Sequence, residues 1–144
     1  MQDLPHRYSV TAAATTDGDV RLGSDGISDL LSAPPREFGG PGDKWSPETL
    51  LVGAVADCFV LSFRAIARAS KLPWDALNCE VEGTLDKTEG VMRFTSFDVK
   101  ATLEVPAEVN EDLARRILAK AERSCLITNS LSGETHLDAT VVRA

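Results

Sequence analysis

Cysteine is scarce in this chain and histidine scarcer: Cys58, Cys79 and Cys125, with His6 and His136, are all there are in 144 residues. No two cysteines form a Cys-x-x-Cys pair, and their spacing fits no zinc site, so neither a metal nor another cofactor is expected. An odd count also argues against a secreted disulfide framework. Free thiols remain, or a long-range redox pair in a reducing compartment. Aromatic residues make up only 6% of the chain, no basic run occurs, and the net charge is −7. That combination argues against a nucleic-acid binder. Residues Met1 to Arg7 carry no apolar signal segment. The longest apolar run, Leu50 to Phe63, falls short of the ~18 to 20 residues a bilayer needs and is interrupted by Asp57. Internal repeats and low-complexity segments are also missing. The expectation is a single cytoplasmic domain over residues 1–144, with no membrane association.

What the chain does have is one strongly apolar helical stretch, Ser46 to Lys71. Ser46 suits the N-cap, Pro47 the first helical position, and Glu48 the positive end of the helix dipole. At helical spacing, Phe59, Phe63 and Ile66 share one stripe, and Leu51, Val55, Cys58 and Ser62 share the next. Asp57, Arg64 and Arg68 fill the narrow polar remainder. A helix apolar on most of its surface is expected to be buried on most of it, against a sheet or a partner. Taken alone, Cys58 in its middle reads as a small packing residue.

Around this helix the pattern is that of strands. Arg7 to Thr15 alternates, Asp17-Gly18 marks a hairpin, and Val20 to Leu22 and Ile27 to Leu31 complete a short meander. Ser32 to Trp45 is a Gly- and Pro-rich loop leading into the helix, and Arg36 within it reads, in isolation, as a solvated charge. Asn78 to Asp86 alternates with Cys79, Val81 and Leu85 on one face, so Cys79 is expected to be an inert inward residue. Met92 to Val105 is a long strand whose phase slips at Thr95-Ser96, as a β-bulge requires. Asn110 caps a second helix, with Leu113, Ile117, Ala121 and Cys125 on its buried stripe. Thr135 to Arg143 closes the chain as a strand. The order β-β-β-α-β-β-α-β, with strands in antiparallel hairpins, is an α+β fold.

Several of these segments together resemble a known family. Ser46-Pro47-Glu48, Ala56-Asp57-Cys58-Phe59 and Ala121-Glu122-Arg123-Ser124-Cys125 look like the OsmC/Ohr family of osmotically inducible and organic hydroperoxide resistance proteins. Pro35-Arg36-Glu37-Phe38-Gly39-Gly40 resembles the loop before that family's central helix. The resemblance implies antiparallel sheets around a long buried helix in an intertwined homodimer. It also implies a thiol peroxidase acting on organic hydroperoxides, recycled by a dithiol reductant such as a lipoylated protein. Carried over residue by residue, Cys58 is the peroxidatic thiol and Cys125 the resolving one. Arg36 activates Cys58, with Arg21 as the second choice, and Glu48 holds the arginine. Phe38, Phe59 and Phe63 would contact the apolar tail of the substrate. Two residues depart from the family pattern: Asp57, where a small neutral residue is common, and Leu126, where proline often follows the second cysteine.

The chemistry is consistent with those roles. A thiolate attacks the peroxide oxygen, so Cys58 needs a cation to lower its pKa, because burial alone would raise it. Glu48 and Cys58 are separated by ~15 Å along one continuous helix, too far for one arginine to bridge easily within a chain. If both serve one site, the site draws on two subunits. The competing reading is a non-catalytic small-ligand-binding or redox-sensing protein on the same scaffold.

Overall fold

The computed structural model describes residues 1–144, which form two compact units, Met1–Leu50 and Leu51–Ala144.

The first unit is an antiparallel meander of β1 (Thr11–Ala13), β2 (Val20–Ser24) and β3 (Ile27–Ser32). Its first strand is much shorter than the alternation from Arg7 suggests. Tyr8 and Val10 are exposed and lie outside the ladder, so alternation there does not reflect pairing within the chain. β3 leads into the loop, where Arg36–Phe38 forms a single 3-10 turn. The loop closes on itself through Ala33 N–H, which donates to the Trp45 carbonyl at 2.9 Å.

Helix α1 (Pro47–Ala69) starts with a reciprocal cap. The Thr49 N–H donates to Ser46 Oγ at 3.1 Å, and the Ser46 N–H donates to Thr49 Oγ1 at 2.9 Å. This is a capping box with threonine in the place usually taken by Glu or Gln. The helix ends in a Schellman motif: Lys71 takes φ 56°, its N–H reaches the Arg68 carbonyl, and the Leu72 N–H reaches that of Ala67. At 23 residues, α1 is longer than its apolar run suggests, and by length and composition it meets the requirement for crossing a membrane. Its packing is that of a core helix on one stripe only: Val55, Phe59, Phe63 and Ala67 are buried.

The second unit carries a sheet of order β4-β5-β6, with β4 (Ala76–Thr88), β5 (Val91–Val105) and β6 (Glu134–Arg143). β4 and β5 form a long antiparallel hairpin. Its register shifts between Thr84 and Leu85, leaving Thr95 as the extra residue, so the bulge falls where the phase of the sequence slips. β6 pairs parallel to β5, which corrects the expectation of antiparallel hairpins throughout. The reason is the connection. Between the two strands runs α2 (Glu111–Arg123), and a helical crossover returns the chain in the same direction. Asn110 Oδ1 accepts from the Leu113 N–H at 3.1 Å as the α2 cap. Arg115 of α2 donates to the Ala139 carbonyl on β6 at 2.8 Å, tying the helix to the edge strand. A one-turn helix α3 (Leu126–Asn129) follows directly after Cys125.

The core of this unit lies between the inner face of the sheet and the buried stripes of α1 and α2. It includes Phe59, Phe63, Phe97, Leu103 and Leu118. Gly83 of β4 admits α1 closely, since a Cβ there would stand 2.8 Å from Val52 Cγ2 and 3.0 Å from the Phe94 ring. Phe63 packs edge-on to Trp74 with ring centroids 5.2 Å apart.

Candidate functional site

Cys58 sits on the flank of the buried stripe of α1, half-buried, one residue before Phe59. Its Sγ lies 3.9 Å from Ser62 Oγ, one helical turn on. Cys125 lies in the short joint between α2 and α3 and is only 2% exposed. The two thiols lie close enough for Cys58 to bear on the ionisation of Cys125. Two residues far apart in the chain are thus brought together, because the Cys58 flank of α1 and the C-terminal end of α2 meet over the same sheet.

The surroundings of Cys125 hold it as a thiol. Burial pushes its pKa up. The hydroxyl and backbone of Thr128 work in the opposite direction, and the neighbouring Cys58 raises it further. The Thr128 hydroxyl also donates to the Cys125 carbonyl at 3.1 Å, securing the first turn of α3. A protonated, buried thiol next to a second thiol is poorly suited to attack peroxide. It is well placed to condense with an oxidised neighbour.

Cys79 faces inward from β4, as its alternation indicates, and packs against the core. Burial raises its pKa to about 11, and the charge of Cys125 adds to the shift. Sequence periodicity found the inward face. It carried no information on which helix crosses it.

In the first unit, Arg36 is exposed on the 3-10 turn, and its guanidinium lies over Gly42. Gly42 has φ +81°, and a Cβ there would meet Arg36 Nη2 at 2.5 Å, so the loop's glycine makes room for the arginine. Glu48, in the first turn of α1, points one carboxylate oxygen, Oε1, into the protein with no hydrogen-bond partner. It borders an apolar pocket of ≈ 470 Å³ lined by Val20, Leu22, Pro35, Phe38 and Leu50 among others. Arg21 lies between Val20 and Leu22 on β2, so its side chain leaves from the opposite face. It pairs there with Asp29 at 3.2 Å. Of the two candidate arginines, Arg21 is therefore turned away from the Glu48 pocket.

The three phenylalanines part company. Phe38 is 51% exposed and lines that pocket. Phe59 and Phe63, expected to contact substrate, are 1% and 0% exposed. They are core residues, because the stripe they occupy is the one α1 lays on the sheet. Asp57 is exposed on α1, as are Arg64 and Arg68.

Comparison with known proteins agrees with this architecture. A family described as OsmC-like protein matches residues 40–140. The chain is 31% identical over 112 residues to the uncharacterized protein YmaD of Bacillus subtilis (strain 168), covering 74% of this chain and 75% of that one. It is 28% identical over 147 residues to an organic hydroperoxide resistance protein of Xanthomonas axonopodis pv. citri (strain 306), covering 97% and 98%. Among solved structures, an organic hydroperoxide resistance protein OsmC from Legionella pneumophila superposes with a TM-score of 0.75 at 26% identity, covering 97% and 99%.

Proposed function

The chain belongs to the OsmC family, and from that premise we propose that it is a cysteine peroxidase that reduces organic hydroperoxides. The observation that carries the reading is the proximity of the Cys58 and Cys125 thiols, close enough for one to shift the ionisation of the other. The Cys58 thiolate attacks the outer peroxide oxygen, the O–O bond breaks, and the alcohol leaves with a proton. Cys58 is left as a sulfenic acid. The Cys125 thiol then attacks that sulfur, water leaves, and a Cys58–Cys125 disulfide remains. An external dithiol, such as a lipoylated protein, returns both thiols by exchange.

In this reading Arg36 supplies the cation that favours the Cys58 thiolate, and Glu48 holds the guanidinium by a charge-assisted pair. The buried, unpartnered Glu48 oxygen favours such a role, since a buried carboxylate oxygen is costly until it is paired. The site is completed in a homodimer. Support for the second copy comes from α1: most of its residues are apolar, only four are buried, and Leu61 is 50% exposed. The apolar pocket bordered by Glu48 and Phe38 suits a hydrocarbon tail.

The test is turnover of cumene hydroperoxide with dihydrolipoamide as reductant. Cys58→Ser should lose all activity. Cys125→Ser should react once and accumulate a sulfenic acid that dimedone traps at Cys58. Wild-type turnover by Cys58→Ser would refute the assignment.

A further inference from the structure

The side of α1 that faces away from the sheet carries charges the peroxidase reading leaves unused. Asp57, Arg64 and Arg68 are exposed there, and Leu61 among them is 50% exposed. At helical spacing these four form one stripe, opposite Val52, Phe59 and Phe63. Ala54 and Ala65 add small side chains to it. The ion pairs of the chain lie elsewhere: Arg21 with Asp29, Lys44 with Asp19, Arg115 with Glu111, and His136 with Glu134. The order of charge along the stripe is what matters. The acid precedes Leu61 and both bases follow it. By helical rise Asp57 stands about 6 Å before Leu61 and Arg64 about 4.5 Å after it, and the two lie within about 20° of each other around the helix. That arrangement is complementary to itself. A second α1, turned end for end about a two-fold axis level with Leu61, sets its Arg64 beside Asp57 and its Asp57 beside Arg64, so the pair forms twice. A parallel copy would set Asp57 against Asp57, which like-charge repulsion opposes. In the antiparallel arrangement Leu61 meets Leu61 at the centre, and Ala54 and Ala65 let the helices approach.

We propose that this face of α1 is the surface on which a second copy of the chain docks, α1 against α1 and antiparallel, with Asp57 paired to Arg64 of the partner subunit. The proposal rests on the homodimer of the reading above and names its surface; it does not depend on peroxide chemistry. It also gives Asp57, which departs from the family pattern, a role in self-association. One helix pair covers less than the ~1,200 Å² that stable interfaces bury, so it forms the centre of a larger contact. Cys58 is half-buried and flanks the same stripe. The contact therefore borders the thiol in each copy.

The test is sedimentation equilibrium over a range of protein concentrations at low salt, with a charge reversal and its rescue. Asp57→Arg sets two pairs of like charges across the contact and should weaken the dimer at least ~10-fold. The double variant Asp57→Arg/Arg64→Asp restores opposite charges and should recover most of that loss, which also shows that the reversed helix still folds. A second arm uses geometry. A residue level with the two-fold axis meets its own copy, so Leu61→Cys should link two chains through position 61 on brief oxidation with copper phenanthroline, mapped by peptide mass spectrometry. Wild type treated alike should show no such link. A dimer of wild-type strength in Asp57→Arg, no recovery in the double variant, or no link through position 61 overturns the proposal and leaves the homodimer itself standing. A wild-type monomer at every concentration overturns both. If the dimer behaves as proposed while hydroperoxide oxidises no thiol, the docking surface stands and the peroxidase reading falls.

Discussion

Replacing Arg36 with alanine should separate chemistry from stability. The side chain is exposed, its guanidinium rests over Gly42, and it opens a 3-10 turn that buries none of its residues. Surface substitutions of this kind usually change stability by no more than ~0.5 kcal/mol. In the proposed role its effect on the Cys58 thiolate is larger. A unit charge about 4 Å from another is worth about 1 kcal/mol in water and about 4 kcal/mol near a protein surface. The lower part of that range suits an exposed arginine, so the reaction of Cys58 with cumene hydroperoxide should slow by at least ~10-fold, or ~1.4 kcal/mol of barrier. Arg21→Ala is the matched control. Arg21 pairs with Asp29 on the far face of β2, and an exposed pair contributes little. Stopped-flow oxidation of wild type and both variants at several pH values, with urea melts alongside, makes the comparison. A wild-type rate in Arg36→Ala together with a slow Arg21→Ala would refute the reasoning and return the activating role to the first hairpin.

Two further outcomes follow from the packing and the buried thiols. Phe63→Ala should cost about 3–5 kcal/mol in urea denaturation, because the ring is fully buried and sits edge-on to Trp74; a loss under ~1 kcal/mol would mean that the site collapses around the gap. Stability should also fall as pH rises from about 9 towards 11. The folded protein holds the Cys79 proton more tightly than the unfolded chain, so this contribution is complete below the unfolded pKa and is lost as pH climbs through about 11. Urea melts at pH 8 and pH 10.5 should show a smaller difference in Cys79→Ala than in wild type, and an equal difference would contradict the shift.

Local chemistry was the most legible part of the sequence. Ser46 and Asn110 cap the helices they precede, and the phase slip near Thr95 marks a real bulge, because each depends on residues within a few positions. The direction of β6 was not legible, since a strand's alternation is the same in parallel and antiparallel ladders. The length of β1 was not legible either: Tyr8 and Val10 alternate properly, yet no strand of this chain pairs with them. At the candidate site, periodicity put Cys58 and Cys125 on or beside apolar faces, but the meeting of those faces is a tertiary fact. For the same reason Phe59 and Phe63 looked like ligand contacts and are core. Alternation placed Cys79 on the inward face of β4, but the crossing of α1 over that strand depends on Gly83, whose missing side chain leaves no periodic signal.

The central claim is that Cys58 and Cys125 form a peroxide-driven pair. The most direct measurement is a count of free thiols, with dithionitrobenzoate under denaturing conditions, milliseconds to minutes after one equivalent of cumene hydroperoxide meets the reduced protein. All three cysteines are free at the start. The account predicts rapid loss of two of the three, with one equivalent of the corresponding alcohol released. Slow loss of a single thiol, or no loss, would contradict it.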